Sequence, residues 1–412
     1  MQTEEILRLA VKGMKFCENG GTLDDYLDYH LTEAAPRRSI SSILFSYYRN
    51  KGIINFYIKR FSNSTTNPII RRVLSVVFTQ ILYQSAVPSA IIADVAVSFI
   101  KKKGGQRASG FVNAMIRQLV NYQDTVSGEN KIISEKHRVP PILLQRWKKN
   151  FSQEETIRII NAIKTIPPFT FRTVFGEAYP EKKLKCKKIE GVNFLKRFHF
   201  FSAEEPGMIL NSDMMKEGKI YIQDPAVVLF GELIAEIEAR TVLDYCSAPG
   251  GKTILLAEIF KNSKIVATDR SLNKLKRVRE NIEKCGVKNV EIMNLKAVKN
   301  MPDVLFDLVL LDVPCSNTGV IRHRPDVMWN FTAKTLSDIV KLQYEILEDT
   351  WSKVKLGGRL IYSTCSIEPE ENQQQIKNFI IRHPEFTIEQ EHLLLPATLN
   401  DGTFVVILKR YN

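Results

Sequence analysis

Two cysteines in the last third of the chain stand where chemistry could happen. Cys315 closes the segment Leu311-Asp-Val-Pro-Cys-Ser316, and Cys365 closes Tyr362-Ser-Thr-Cys-Ser366. Each ends a strand-like apolar stretch and each is followed by Ser. In a sheet flanked by helices, ligands bind at the loop ends of the strands, so both thiols are delivered to that edge. A sulfur nucleophile with a second thiol for proton transfer is one reading. Two small packing residues are the other, because free Cys is among the most buried residue types.

A third group supplies a cofactor. Asp244-Tyr-Cys246-Ser247-Ala248-Pro249-Gly250-Gly251-Lys252-Thr253 occupies a first strand-to-helix turn. Its glycines let backbone approach a ligand, and the helix that follows presents free N–H groups. Asp269 ends the next strand, where a carboxylate accepts hydrogen bonds from ribose hydroxyls. A nucleoside cofactor fits this pair better than a free phosphate. The same loop approaches a P-loop, since Gly251-Lys252-Thr253 is intact and Asp312 could imitate a Walker-B carboxylate. However, Cys246 stands where that motif needs its first Gly.

These residues require alternating strands and helices, and from about residue 236 the sequence provides them. Strands are expected at 241–246, 264–268, 290–294, 307–313 and 403–409, with a further apolar segment from Gly357-Gly358 into Tyr362 leading to Cys365. Helices are expected at 253–260, 272–284, about 332–354 and 369–382. The pattern is that of a doubly wound parallel sheet. Residues 1–130 read as all-α, with apolar residues three and four apart in Ile40–Tyr48 and Ile69–Leu82. Two further helices, 90–100 and 110–120, flank Lys101-Lys-Lys-Gly-Gly-Gln-Arg107, expected as a basic loop opened by its glycines. Residues 131–235 read as a linker and a small α+β domain, with a strand from Phe169 and a basic run at 182–188. The fold class is therefore multidomain, with an α/β domain over residues 236–412.

Composition sets the setting. The chain has 412 residues, 44% of them hydrophobic, and a net charge of +13. Residues 1–150 hold 22 Lys and Arg against 11 Asp and Glu, which places +11 of that charge in the helical region. Such a region suits a polyanion such as nucleic acid. Six scattered cysteines with no CxxC pair argue for free thiols, no zinc site and a cytoplasmic location. No signal peptide or membrane-spanning stretch is evident. Nothing demands an oligomer, so a monomer is expected.

Asp244–Thr253, Leu311–Gly319 with Arg324-Pro-Asp-Val-Met-Trp329, and Tyr362-Ser-Thr-Cys-Ser-Ile-Glu-Pro-Glu-Glu-Asn372 together resemble the Nol1/Nop2/Sun family. These are S-adenosyl-L-methionine-dependent RNA cytosine-5 methyltransferases. The helical region, especially Arg71–Gln80 and Phe111–Arg117, resembles a NusB-type RNA-binding domain. The resemblance implies a Rossmann-like methyltransferase domain acting on 16S ribosomal RNA, not DNA. It implies Cys365 as the nucleophile, Cys315 as the residue that assists release, and Asp312 as a hydrogen-bonding partner of the ring. It places cofactor contacts at Cys246–Lys252, Asp269 and Asp312. Two departures stand out: Lys296-Ala297 where the family has Asp-Ala, and Arg172-Thr-Val where it has Arg-x-Asn. The alternatives are a P-loop-like NTPase, which gives neither cysteine a role, and a non-catalytic NusB-like RNA-binding factor.

Overall fold

The computed structural model describes residues 2–32, 34–62, 67–122, 135–176, 184–301 and 305–411. Residues 123–134 of the expected linker, and Lys182 and Lys183 of the basic run, lie outside them. The chain forms two compact units, Met1–Lys164 with Ile321–Thr332, and Thr165–Val320 with Ala333–Asn412. The first unit includes a short piece of the C-terminal third along with the helical region.

The helical unit is built on α1 (Gln2–Glu18), α2 (Leu23–Tyr29), α3 (Arg37–Phe61), α4 (Pro68–Tyr83) and α5 (Ser89–Asn121). Local sequence explains their starts. Thr22 caps α2 by accepting from the Asp25 N–H at 3.1 Å, with Asp24 and Asp25 complementing the helix dipole. Asn67 caps α4 ahead of Pro68, which suits a first helical position. Ile40, Leu44, Tyr48, Val73, Val77 and Phe78 fill one core, as their three-and-four spacing requires.

The expected Lys101–Arg107 loop is not a loop. Helix α5 runs through it, broken only at Gly105, whose φ of 77° and ψ of −176° make a kink. Lys101, Lys102 and Lys103 are exposed and keep helical geometry, since Lys is a good helix former and one glycine suffices for the bend. Three more helices, α6 (Glu135–Arg138), α7 (Pro141–Asn150) and α8 (Gln153–Lys164), continue the unit. Hydrogen bonds and an ion pair between Arg324 and Asp24 fix the segment Ile321–Thr332 within it. Trp329 Nε1 donates to the Tyr48 carbonyl at 2.7 Å, Arg49 donates to the Arg322 carbonyl at 2.7 Å, and the Leu23 N–H donates to Asp326 at 3.1 Å.

The second unit carries two sheets. A small antiparallel sheet has the order β2-β3-β1-β4, from β1 (Phe169–Thr173), β2 (Cys186–Lys188), β3 (Phe200–Ala203) and β4 (Ile220–Ile222). Arg172 on β1 is fully buried. It donates to Gln223 Oε1 at 2.9 Å and pairs with Glu258 of α9 (Gly251–Ile259), tying the small sheet to that helix. The larger sheet comprises β5 (Thr241–Asp244), β6 (Lys264–Ala267), β7 (Val290–Ile292), β8 (Phe306–Asp312), β9 (Val354–Thr364), β10 (Phe386–Leu394) and β11 (Thr403–Arg410). Its order is β10-β11-β9-β8-β5-β6-β7. Strands β5 to β9 are parallel, but β11 runs antiparallel to both β9 and β10. The parallel sheet expected from sequence is present in β5 to β9, and β11 adds an antiparallel strand between β9 and β10. Strand β10 gave no signal because it is an edge, largely exposed and rich in Thr, Glu, Gln and His, which erases apolar alternation. Helices α10 (Leu272–Lys284), α11 (Leu295–Lys299), α12 (Ala333–Thr350) and α13 (Gln373–Arg382) complete the unit. No described helix is long and apolar enough to cross a membrane.

Candidate active site

The site forms at the C-terminal ends of β5, β6, β8 and β9. Strand β8 pairs in parallel with β9, with Asp312 opposite Ser363. That register brings the two following loops together. The Sγ atoms of Cys315 and Cys365 lie 2.9 Å apart. Cys365 Sγ also donates to Asn317 Oδ1 at 3.0 Å, and the Asn317 amide donates to the Cys315 carbonyl at 3.0 Å, fixing its orientation. Asn317 has φ of 59°, a left-handed conformation that Asn tolerates better than most residues. Its contact with the thiol was not foreseen from sequence.

The thiols differ in environment. Cys315 is raised well above the ordinary thiol range by its hydrogen bond to Cys365, by burial, and by the nearby charge of Glu371. Cys246 is likewise raised, by burial first and then by Asp244, Asp269 and Asp312. A thiol held this high is a poor source of thiolate, the nucleophilic form.

Beneath both cysteine loops lies a fully buried carboxylate, Glu371. It accepts from the Ser316 N–H at 2.8 Å, from Gln343 Nε2 at 3.0 Å, and from the hydroxyls of Ser316 and Ser366. Glu371 lies inside a motif visible in the sequence, but nothing in its spacing says that it touches both loops.

Lys252 and Asp312 form an ion pair at 2.6 Å. Burial alone would pull the lysine down, but Asp312, Cys365 and Asp244 more than offset this and hold it above its ordinary value. The side chain of Lys252 is therefore committed to Asp312. Three carboxylates (Asp244, Asp269 and Asp312) surround Cys246 at the start of the glycine loop, an unsuitable cradle for a triphosphate.

The glycine loop has the features of a ligand seat. Gly250 adopts φ of 106° before α9, and the first N–H groups of a helix lack partners within it. Asp269 accepts from the Ala248 N–H at 3.3 Å and the Ser271 N–H at 2.8 Å, so the second strand braces the loop. Asp244 is buried and accepts from Thr253 Oγ1 at 2.7 Å, yet its Oδ1 has no partner. Ser247 Oγ and Thr268 Oγ1 are also buried without partners. Buried polar atoms are normally satisfied, and this cluster beside a positive-φ glycine fits a polar cofactor. Lys296 is exposed at the start of α11, its N–H bonded to Asn294. Trp329, at the end of the Arg324–Trp329 motif, anchors its own segment to Tyr48.

Comparison with known proteins agrees with this architecture. Residues 232–405 match the family 16S rRNA methyltransferase RsmB/F, and residues 4–121 match the NusB family. Ribosomal RNA small subunit methyltransferase B of Citrobacter koseri is 30% identical over 77% of this chain and 75% of its own length. The protein of the same name from Proteus mirabilis is 30% identical over 83% of this chain and 82% of its own. Among solved structures, PH0851 superposes with a TM-score of 0.76 at 24% identity, covering 99% of each chain. NSun6 from Pyrococcus horikoshii, solved with SFG, gives a TM-score of 0.56 at 20% identity, over 66% of this chain and 98% of that one. The structural likenesses establish the fold, and the cofactor of this fold and loop is S-adenosyl-L-methionine. The chain belongs to the 16S rRNA methyltransferase RsmB/F family, with a NusB-family region at its N-terminus.

Proposed function

We propose that this chain methylates C5 of a cytosine in 16S ribosomal RNA through a covalent adduct between Cys365 and C6. The observation that carries the reading is the pair of thiols at 2.9 Å beside the Lys252–Asp312 ion pair. Cytosine C5 is a poor nucleophile until something adds at C6. Cys365 gives its proton to solvent and its thiolate adds there, making C5 enamine-like. S-adenosyl-L-methionine, when bound, supplies the electrophilic sulfonium methyl that C5 attacks. Cys315, having given its own proton to solvent, then takes the C5 proton as a thiolate, and the electrons of that bond re-form the ring double bond as the Cys365–C6 bond breaks. Asp312, oriented by Lys252, hydrogen-bonds the ring edge near N3 where charge develops. Ser247, Thr268 and the first turn of α9 hold the cofactor, with Asp269 at its ribose.

The target base must leave its stack to reach such a site. The basic helical unit supplies sequence-independent affinity for the RNA backbone. The reaction takes place in the cytoplasm with the enzyme as a monomer.

The reading is tested by incubating the protein with unmodified 16S rRNA and methyl-labelled S-adenosyl-L-methionine, then digesting the RNA to nucleosides. Label in 5-methylcytidine is expected. Label on a ribose, on an exocyclic amine or on a purine would overturn the C5 assignment. Label in transfer RNA but not in 16S rRNA would overturn the substrate.

A further inference from the structure

The two Cys-Ser pairs converge on one residue. Ser316 follows Cys315, Ser366 follows Cys365, and both hydroxyls donate to the same oxygen of Glu371, Oε2. The other oxygen, Oε1, takes the Ser316 N–H and Gln343 Nε2. Gln343 in turn donates to the Pro314 carbonyl at 2.9 Å. Four donors thus meet a fully buried carboxylate, and every donor is neutral. Such a group is costly to bury without a purpose.

The two loops depend on it unequally. The Cys365 loop has its own bracing: Thr364 Oγ1 donates to Asn372 Oδ1 at 2.7 Å, and Asn372 Nδ2 donates to the Ser366 carbonyl at 2.9 Å. Thr403 Oγ1 further binds the Thr364 carbonyl at 2.9 Å. On the Cys315 side, beyond the Asn317 amide on the Cys315 carbonyl and the Thr318 and Gly319 bonds to the Cys365 loop, Ser316 gives Glu371 both its N–H and its hydroxyl, and the Pro314 carbonyl is held through Gln343. Removing the carboxylate loosens Cys315 more than Cys365.

We propose that Glu371 is a positioning residue for the release half of the reaction, fixing Cys315 at contact distance from Cys365 so that it can take the C5 proton. This rests on the assignment of Cys365 as nucleophile and Cys315 as the release residue. With Glu371 altered, the nucleophile still attacks and the methyl still transfers, but elimination slows. Burial holds Glu371 above the ordinary carboxylate value, with its four donors opposing that shift.

The test compares Glu371→Gln with the parent enzyme on 16S rRNA. The readouts are kcat, the KM for each substrate, the melting temperature, and covalent protein–RNA adduct on denaturing gels. The expected result is kcat lower by ~10²-fold, the scale of a misplaced reacting group. Both KM values should stay within about two-fold, and adduct should accumulate as it does in Cys315→Ala. A folded Glu371→Gln enzyme with parental kcat and no adduct would overturn the proposal, as would a fall in kcat with no adduct. If Glu371→Gln does not fold, Ser316→Ala removes one donor and gives the same reading: adduct supports the proposal and parental turnover overturns it. Cys365→Ala and Cys315→Ala are run alongside. An active Cys365→Ala, or a Cys315→Ala without adduct, removes the underlying assignment rather than the role of Glu371.

Discussion

The glycine loop and the cysteine loops lie at the same edge of one sheet, yet they differ in how far their buried polar atoms bond to one another. Around the glycine loop, Asp244 Oδ1, Ser247 Oγ and Thr268 Oγ1 are buried with no partner. Around the cysteines, Glu371, Asn372, Ser316, Ser366 and Thr364 bond to one another, and only Ser363 Oγ and Gln343 Oε1 nearby are left without partners among the described residues. An unsatisfied buried polar group costs free energy, and a ligand can recover it. A largely satisfied network gives rigidity instead. On the proposed function, the difference separates a seat that a cofactor completes from a reaction centre set in place beforehand.

The largest expected effect strikes the rigid side. Cys365→Ala should lower methyl transfer by at least ~10³-fold, as removal of a covalent nucleophile does, while S-adenosyl-L-methionine binding by calorimetry stays intact. Loss of cofactor binding in this variant would erase the distinction between the two loops. Asp269→Ala acts on the other side. It removes the brace from the Ala248 and Ser271 N–H groups and the expected ribose acceptor. The KM for the cofactor should rise by about 10- to 100-fold, the value of one or two charged hydrogen bonds, with the KM for RNA unchanged.

A third prediction concerns pH. Asp244 is pushed up to about 7, by burial first, with Thr253 opposing and Asp312 adding to the rise. Its folded value lies above its ordinary 3.8, so the neutral acid favours the folded state. That contribution is complete at low pH and is lost as pH rises through about 7. Asp244→Asn should flatten stability between about pH 4 and 7, a change on the order of a few kcal/mol, read from denaturant melts across that range. An unchanged slope would mean that Asp244 is charged and partnered in solution. The smallest effect belongs to Gly250→Ala. The left-handed backbone there costs about 1 kcal/mol for a residue with a Cβ, and the added carbon would meet Val278 at 3.4 Å. A slightly lower melting temperature and weaker cofactor binding should follow.

What the sequence could express was local. Helix α10 runs over the residues expected for it, Leu272–Lys284, because its apolar positions are spaced for one face. Both cysteines were legible as strand-end residues because Pro314, Ser316 and Ser366 mark turns. The convergence of Ser316 and Ser366 on Glu371 was not legible. It depends on the β8–β9 register, and sheet register is a property of two strands remote in sequence. The burial of Arg172 against Glu258 escaped for the same reason. The kinked α5 failed differently: two adjacent glycines look like a breaker, but only Gly105 leaves helical geometry. The pairing of segment Ile321–Thr332 with α3, through Trp329 and Tyr48, had no local signal at all.

The central claim is the division of labour between two thiols in contact, and trapping the covalent intermediate tests it most directly. Cys315→Ala and Cys365→Ala are each incubated with labelled 16S rRNA and S-adenosyl-L-methionine, then resolved under denaturing conditions. The account predicts a covalent RNA adduct for Cys315→Ala, mapping to Cys365 by mass spectrometry, and none for Cys365→Ala. An adduct through Cys315 in the Cys365→Ala protein would contradict it.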